Sequence, residues 1–335
     1  MNKTLKVLEL FAGVGTFSLA LKKLGIPYEI VDAVEIDKYA IQAFNAIHET
    51  KFPTQDISQW DKDIKVDMIT HGSPCQSFSI AGHQDGGDEG SGTRSSLMWE
   101  TVRIVEKLLS KKHWHNFDAY LKKMESLGYK NFYKVMNAKD YGVPQNRERV
   151  FTVSILGGND FKFPESVPLE RKLKDVLEKA PDEKYYLSEE KAGRLKYRNT
   201  VSQGDIKRVG DLDIKGQDQI KRVYSPEGVS PTLSTMQGGQ RQPKIIQRGR
   251  GKNPGGEHSI SPTLSTSDWQ HNHALEEGCS IRRLTPLECW RLQGHDDDDF
   301  EKAKKSGLSD SQLYKIAGNG IAKPCLTGIF KELLC

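Results

Sequence analysis

Over roughly the first 160 residues, short continuous apolar runs alternate with stretches whose apolar positions return every three or four residues. The first pattern is that of a buried strand and the second that of an amphipathic helix. Their alternation predicts βαβ units built on a parallel sheet. Residues 5–11 read as a strand, 16–24 as a helix closed by Gly25, 28–35 as a second strand and 39–47 as a helix. A further strand is expected at 66–71, then a glycine-rich loop at 82–92 and helices at 96–109 and 117–127. Residues 132–137 and 149–155 pattern as two strands joined by a polar turn.

From about residue 160 to 277 the periodicity weakens, and glycine, proline, glutamine and arginine accumulate, which predicts a loop-rich lobe containing β-structure. The septet VSPTLST at 229–235 recurs as ISPTLST at 260–266. Two copies cannot stack into a solenoid, so two related hairpins are expected. Helical patterning resumes at Arg282, and residues 316–330 read as a glycine-started helix that closes the chain. The divisions fall at 1–165, 166–279 and 280–335.

A chain of 335 residues can bury one large core and a smaller one. No eighteen apolar residues run together and the first ten lack a secretory pattern, so a soluble, cytoplasmic protein is expected. The five cysteines are scattered without C-x-x-C spacing, which argues against a disulfide framework and against a zinc site. A net charge of +4 tolerates a polyanionic partner and does not by itself indicate one.

Candidate chemistry gathers at strand ends. Gly13 and Gly15 stand where a strand gives way to a helix, so backbone N–H groups can face a nucleotide-like ligand. A tight turn alone would look the same, since the third glycine of the dinucleotide fingerprint is missing. Glu35, ending the second strand some twenty residues on, is placed to accept from ribose hydroxyls. Asp56 is a candidate for an adenine amino group, and equally for a helix cap. Cys75, in THGSPCQSFS, lies just past a buried strand among small polar residues, a position suited to a nucleophile that reacts as its thiolate. Arg147 and Arg149 alternate into a strand, so both guanidiniums are expected to point at one site, although a solvated charged edge has the same pattern.

In order along the chain, FAGVG, VEID, GSPCQSF, QNRERVF, RRLTPLECWRLQG and AGNGIA resemble the ordered blocks of the cytosine-5 DNA methyltransferases. The resemblance implies an α/β, Rossmann-like fold of the S-adenosylmethionine-dependent methyltransferases, with a smaller, loop-rich target-recognition domain at 166–279. It implies transfer of a methyl group from S-adenosylmethionine to carbon 5 of a flipped cytosine in a specific duplex sequence, through a covalent Cys75 adduct. Arg147 and Arg149 match the family's arginines beside the flipped base. Phe11, Ala12, Gly13, Gly15, Thr16, Glu35, Ile36, Asp56, Ile57, Asn319 and Ile321 match its cofactor positions. The loop at 80–96, with Gly82, Gly86, Gly87, Gly90 and Gly92, would close behind the extruded base. In the target lobe, Gln237, Gln240, Arg241, Arg248 and Arg250 suit base-edge and phosphate contacts by residue type. Double-stranded DNA is the partner implied, in a restriction-modification setting in which a cognate endonuclease forms no stable complex; a monomer without metal or membrane contact is expected.

One block is missing. The family places a strand ending in Glu-Asn-Val between the helices at 96–109 and 117–127, and its glutamate bonds the cytosine ring nitrogen. Here the chain runs RIVEKLLSKKHWHN from Arg103 to Asn116, with no five-residue β run, while Glu100 and Glu106 fall in helical patterning. The structure should therefore show either a break near Leu108 or a sheet whose neighbours have closed up. Two other readings remain: a cofactor- and DNA-binding variant with poor turnover, and a nicotinamide-dependent oxidoreductase in which Cys75 is structural.

Overall fold

The computed structural model describes residues 3–73, 94–109, 117–203, 205–234, 236, 241–247 and 280–335. Strand β1 (Leu5–Leu10) is flanked on both sides by parallel partners, β2 (Tyr28–Val34) and β3 (Met68–His71). Leu10 stands opposite Val34 in one ladder and opposite His71 in the other, so all three strands end at one edge. A strand paired on both edges and covered on both faces must be apolar throughout, and Val7, Leu8 and Leu10 are almost wholly buried. Glu9 is the exception. It is fully buried and accepts from the backbone N–H of Ser18 at 3.1 Å and from the Ser18 hydroxyl.

Helix α1 (Thr16–Lys23) and helix α2 (Lys38–His48) cross between and beyond these strands. The Asp37 carboxylate caps α2 by accepting from the N–H of Tyr39 at 2.9 Å. Helices α3 (Met98–Leu109) and α4 (Phe117–Ser126) follow β3. Strands β4 (Tyr129–Asn137) and β5 (Glu148–Leu156) then form an antiparallel ribbon of their own. Among the described residues β3 pairs only with β1, and β5 only with β4. Neither outcome expected from the missing block is seen among the described residues: the chain runs unbroken through Leu108 within α3, and β3 and β5 have not closed up into a pair.

The smaller lobe carries a five-stranded sheet in the order β10-β9-β8-β7-β6, with β6 at Leu195–Gln203, β7 at Ile206–Leu212, β8 at Arg222–Tyr224, β9 at Lys244–Gln247 and β10 at Ser280–Arg283. The segment at 280–283 thus finishes this sheet before the chain returns to the first lobe. Helix α5 (Pro286–Leu292) starts in a capping box of Thr285 and Glu288. Helices α6 (Asp297–Lys305), α7 (Asp310–Asn319) and α8 (Lys323–Leu334) follow, and α8 lays Leu326, Ile329 and Phe330 into the cluster holding Ala20 and Leu21 of α1.

Two expectations are corrected here. The single helix expected at 316–330 is two helices, because Gly320 takes an extended backbone (φ −63°, ψ 163°) after α7 and the chain turns before Pro324 can start α8. Among the described residues the first VSPTLST copy pairs in no hairpin. It runs extended beside the arginine segment, with a parallel bridge between Gln145 and Ser230. The second copy, at 260–266, lies outside the described residues.

Burial pushes the Glu9 carboxyl up from 4.5 to about 7, against the lowering effect of the two Ser18 bonds. From about pH 4.5 to about pH 7 the folded chain holds a proton that the unfolded chain has released, so this group costs stability as pH rises through that window. Glu9→Gln keeps an acceptor for Ser18 and removes the slope. In urea titrations, the stability of the variant relative to wild type should increase by roughly 2–3 kcal/mol across the window. Parallel pH profiles for the two proteins would contradict this.

Candidate active site

A cleft of about 3170 Å³ runs along the carboxyl edge of the parallel strands and between the two lobes, and continues past β3 to the amino edge at Leu5 and Asp67. One wall is the turn after β1. Phe11 and Gly13 have left-handed backbone, φ 53° and 56°, and Gly15 follows at 73°. Left-handed geometry at a phenylalanine costs on the order of 1–3 kcal/mol and is retained only where surrounding contacts enforce it. Here Ala12 N–H donates to the Val34 carbonyl at 3.1 Å, and Gly15 N–H donates back to Ala12 at 2.8 Å. His48 Nε2 donates to the Val14 carbonyl at 3.0 Å, and burial lowers this imidazole to about 4, so it stays neutral.

Glu35 reaches the same wall from the end of β2. One carboxylate oxygen accepts from Gly13 N–H at 3.0 Å and the other from Asp37 N–H at 2.8 Å. Burial raises its pKa, partly offset by those backbone bonds. Each oxygen keeps a further lone pair for a hydroxyl donor. Ile36 beside it is 66% exposed, an aliphatic face turned to the cleft and suited to packing on a flat ring. Asp56 accepts from the N–H of Ser58 at 2.9 Å and from its hydroxyl at 2.8 Å, so it caps the short turn Ile57–Gln59 while also lining the cleft. A pair of ribose hydroxyls and a purine fit this group of donors and acceptors.

The Asp56 turn is set by a residue that sequence reasoning passed over. Asp32, in β2, is almost wholly buried and accepts from Gln55 Nε2 at 2.9 Å, Trp60 Nε1 at 2.7 Å and Lys62 Nζ at 2.7 Å. Burial alone would raise this carboxyl; the three donors hold it below its ordinary value. Its signal was an acid inside the apolar run YEIVDAV.

The opposite wall is the segment before β5. Arg147 and Arg149 both line the cleft, yet their guanidiniums do not share a target. Arg147 is 3% exposed and donates to the carbonyls of Leu233 at 3.0 Å, Gly318 at 2.9 Å and Gly320 at 2.7 Å. Arg149 is half-buried and donates to the Glu148 carbonyl at 2.7 Å. The expectation that alternation aims both at one site is corrected on this point, because the bend at Gly318–Gly320 draws the first guanidinium inward. Asn319 and Ile321 line the cleft within that bend.

The cleft also extends into the gap between β3 and β5, lined there by Met68–His71 and Thr152–Leu156. Thr70 Oγ1, His71 Nδ1 and Thr101 Oγ1 are buried there without a hydrogen-bond partner among the described residues. Val150 and Leu156, on β5, are more than half exposed.

A family model described as C-5 cytosine-specific DNA methylase matches residues 5–335. The chain belongs to the C-5 cytosine-specific DNA methylase family. This methylase is 34% identical to the orphan methyltransferase M.SPBetaI of Bacillus phage SPbeta, over 98% of its own length and 97% of the relative's. It is 31% identical to the type II methyltransferase M2.ScrFI of Lactococcus lactis subsp. cremoris, over 98% and 99%. The phage alignment runs to 434 positions, more than the 335 residues present here, so that relative carries segments this methylase lacks. Among solved structures, an Entamoeba histolytica methyltransferase, EhMeth, superimposes with a TM-score of 0.68 at 12% identity over 99% of both chains. The S. pombe Dnmt2 methyltransferase does so with 0.65 at 17% identity, over 99% of this chain and 100% of that one; both likenesses are of fold. The chain is thus a DNA methyltransferase of the cytosine-5 type, and the oxidoreductase reading falls away. No helix among the described residues is long and apolar enough to cross a membrane.

Of the positions expected at the cofactor, Phe11, Ala12, Gly13, Thr16, Glu35, Ile36, Asp56, Ile57, Asn319 and Ile321 line the one cleft. Gly15 does not. A Cβ there would lie 2.1 Å from His48 Nε2, so its role is to let α1 start against α2. Cys75 and most of the loop at 80–96 lie outside the described residues, as do Gln237, Gln240, Arg248 and Arg250. Arg241 is exposed and lines the cleft.

The two glycines should separate in mutation. Gly13→Ala strains a left-handed residue and meets no atom within 4 Å, so the protein should fold, lose about 1 kcal/mol, and bind S-adenosylhomocysteine more weakly. Gly15→Ala adds a steric clash and should cost roughly 2–4 kcal/mol in thermal or urea unfolding. Equal stability of the two variants would contradict this assignment.

Proposed function

We propose that this methylase moves a methyl group from S-adenosylmethionine to carbon 5 of a cytosine flipped out of duplex DNA, with Cys75 as the nucleophile. The observation that carries the proposal is that a single cleft is lined by the Phe11–Gly13 turn, by Glu35, by Arg149 and by Thr232 and Ser234 of the smaller lobe. Ser73, two positions before Cys75 in the chain, lies on that cleft.

In this reading Glu35 accepts from the ribose hydroxyls, Ile36 packs on the adenine, Asp56 meets its amino group, and Asn319 to Ile321 close around the amino-acid end. The bound cofactor supplies an electrophilic methyl. The Cys75 thiolate adds to carbon 6 of cytosine, and the displaced ring electrons make carbon 5 nucleophilic enough to take that methyl. Transfer of the carbon 5 proton to water then expels the thiolate and restores the aromatic ring. Flipping costs a few kcal/mol, supplied by contacts to the extruded nucleotide and its duplex. Arg149, with one described partner, is the arginine that faces the base; Arg147 holds the wall in place.

The absence of a Glu-Asn-Val block from the sequence favours a second reading of the same site, a methylase that binds cofactor and DNA but turns over slowly. The sequence lacks the Glu-Asn-Val block whose glutamate would stabilise charge at the ring nitrogen as the thiolate adds, a loss on the order of 10²–10⁴ in rate. A transfer assay with tritium in the cofactor methyl separates the two: label in DNA supports the enzyme, and binding without label supports the impaired form. Insertion of an eight-residue strand ending in Glu-Asn-Val between Leu109 and Ser110 should raise the rate by a similar factor. An unchanged rate in a folded insertion variant would argue that the gap does not limit turnover.

A further inference from the structure

Arg147 connects three parts of the chain that are far apart in sequence. Its backbone is fixed at the end of the β4–β5 ribbon, where its N–H donates to Asn137 Oδ1 at 3.0 Å and its carbonyl accepts from Ala138 N–H at 2.9 Å. Its guanidinium then forks. One nitrogen donates to Leu233 in the first VSPTLST copy, and the other to Gly318 and Gly320 on either side of Asn319. A planar fork with rigid donors suits two diverging directions, which a single ammonium cannot reproduce.

The target side of this connection is stitched to the same segment. Asn146 N–H donates to the Ser230 carbonyl at 2.9 Å, Ser230 N–H donates to the Pro144 carbonyl at 2.8 Å, and the Thr232 hydroxyl donates to the Asn146 carbonyl at 2.5 Å. Leu233 and Met236 are buried in the cluster that contains Val14 of the cofactor turn and Ile316 and Ala317 of α7. Movement of Asn319 therefore displaces acceptors of a buried guanidinium, and leaving such donors unmatched is costly.

We infer that Arg147 is a positioning residue that couples the cofactor bend at Gly318–Gly320 to the first repeat of the target lobe, so that occupancy of one orders the other. The inference rests on the proposed placement of the cofactor's amino-acid end at Asn319 to Ile321. Coupling of this kind is reciprocal: a lobe ordered by the cofactor binds DNA more tightly, and DNA tightens the cofactor by the same factor.

The test uses the full chain and S-adenosylhomocysteine, with affinity measured by calorimetry and hydrogen exchange followed on peptides covering 229–236. In the wild type, saturation should slow exchange in that segment roughly ten-fold, within the usual coupling range. Arg147→Lys, and Arg147→Gln where it folds, should bind S-adenosylhomocysteine within a few-fold of wild type but show no slowing at 229–236. A merely structural role would instead raise basal exchange in both ligation states and leave the ligand-induced change intact, which would overturn the inference. Binding in the wild type with no change at 229–236 would also overturn it while leaving the proposed function standing. No binding at all would overturn both.

Discussion

The site depends on the parallel pairing of β1 between β2 and β3. Parallel strands end at a common edge, so the register that sets Leu10 beside both Val34 and His71 brings three otherwise distant segments together. These are the Phe11–Gly15 turn, the Glu35 carboxylate and the stretch leading to Cys75. The buried apolar side chains of β1 drive that pairing. The polar groups at its end, Glu35 on Gly13 above all, convert it into a cradle with defined donors and acceptors.

Two lobes share the cleft because the chain leaves the first one and comes back. Leu173, Val176 and Tyr185 pack in the same cluster as Trp290 and Leu313, so the entry to the smaller lobe and the return helices have one core. The Arg282 and Glu288 side chains, both fully buried, pair at 2.7 Å where the chain comes back, and Glu288 also accepts from Glu178 N–H at 2.8 Å. Removing either partner of such a pair leaves a buried charge uncompensated, at roughly 3–5 kcal/mol.

Strong local patterns made much of this legible in sequence. The apolar run at β1, the glycines after it and the acid ending β2 define a βαβ unit without reference to the rest of the chain. The missing block was legible as well, since no β run exists between Arg103 and Asn116, and among the described residues β3 and β5 do not pair. What escaped was set by tertiary contact. Gly15 looked like a ligand-facing residue until His48 proved to occupy the space of its Cβ. Alternation put Arg147 and Arg149 on one face, but carbonyls freed by the bend at Gly320 capture the first. The septet at 229–235 resembled a hairpin strand, and its partner is instead the arginine segment. Asp32 was hidden among apolar neighbours although it anchors the turn carrying Asp56.

Adduct formation tests the central claim, that a cysteine attacks an extruded cytosine beside the cofactor, most directly. With DNA containing 5-fluorocytosine, the fluorine at carbon 5 blocks the final elimination, so the account predicts a covalent protein–DNA species, stable to denaturing gels, that requires S-adenosylmethionine and disappears in Cys75→Ser. Equal adduct yield in that variant, or none in the wild type under conditions where cofactor and DNA both bind, would contradict it.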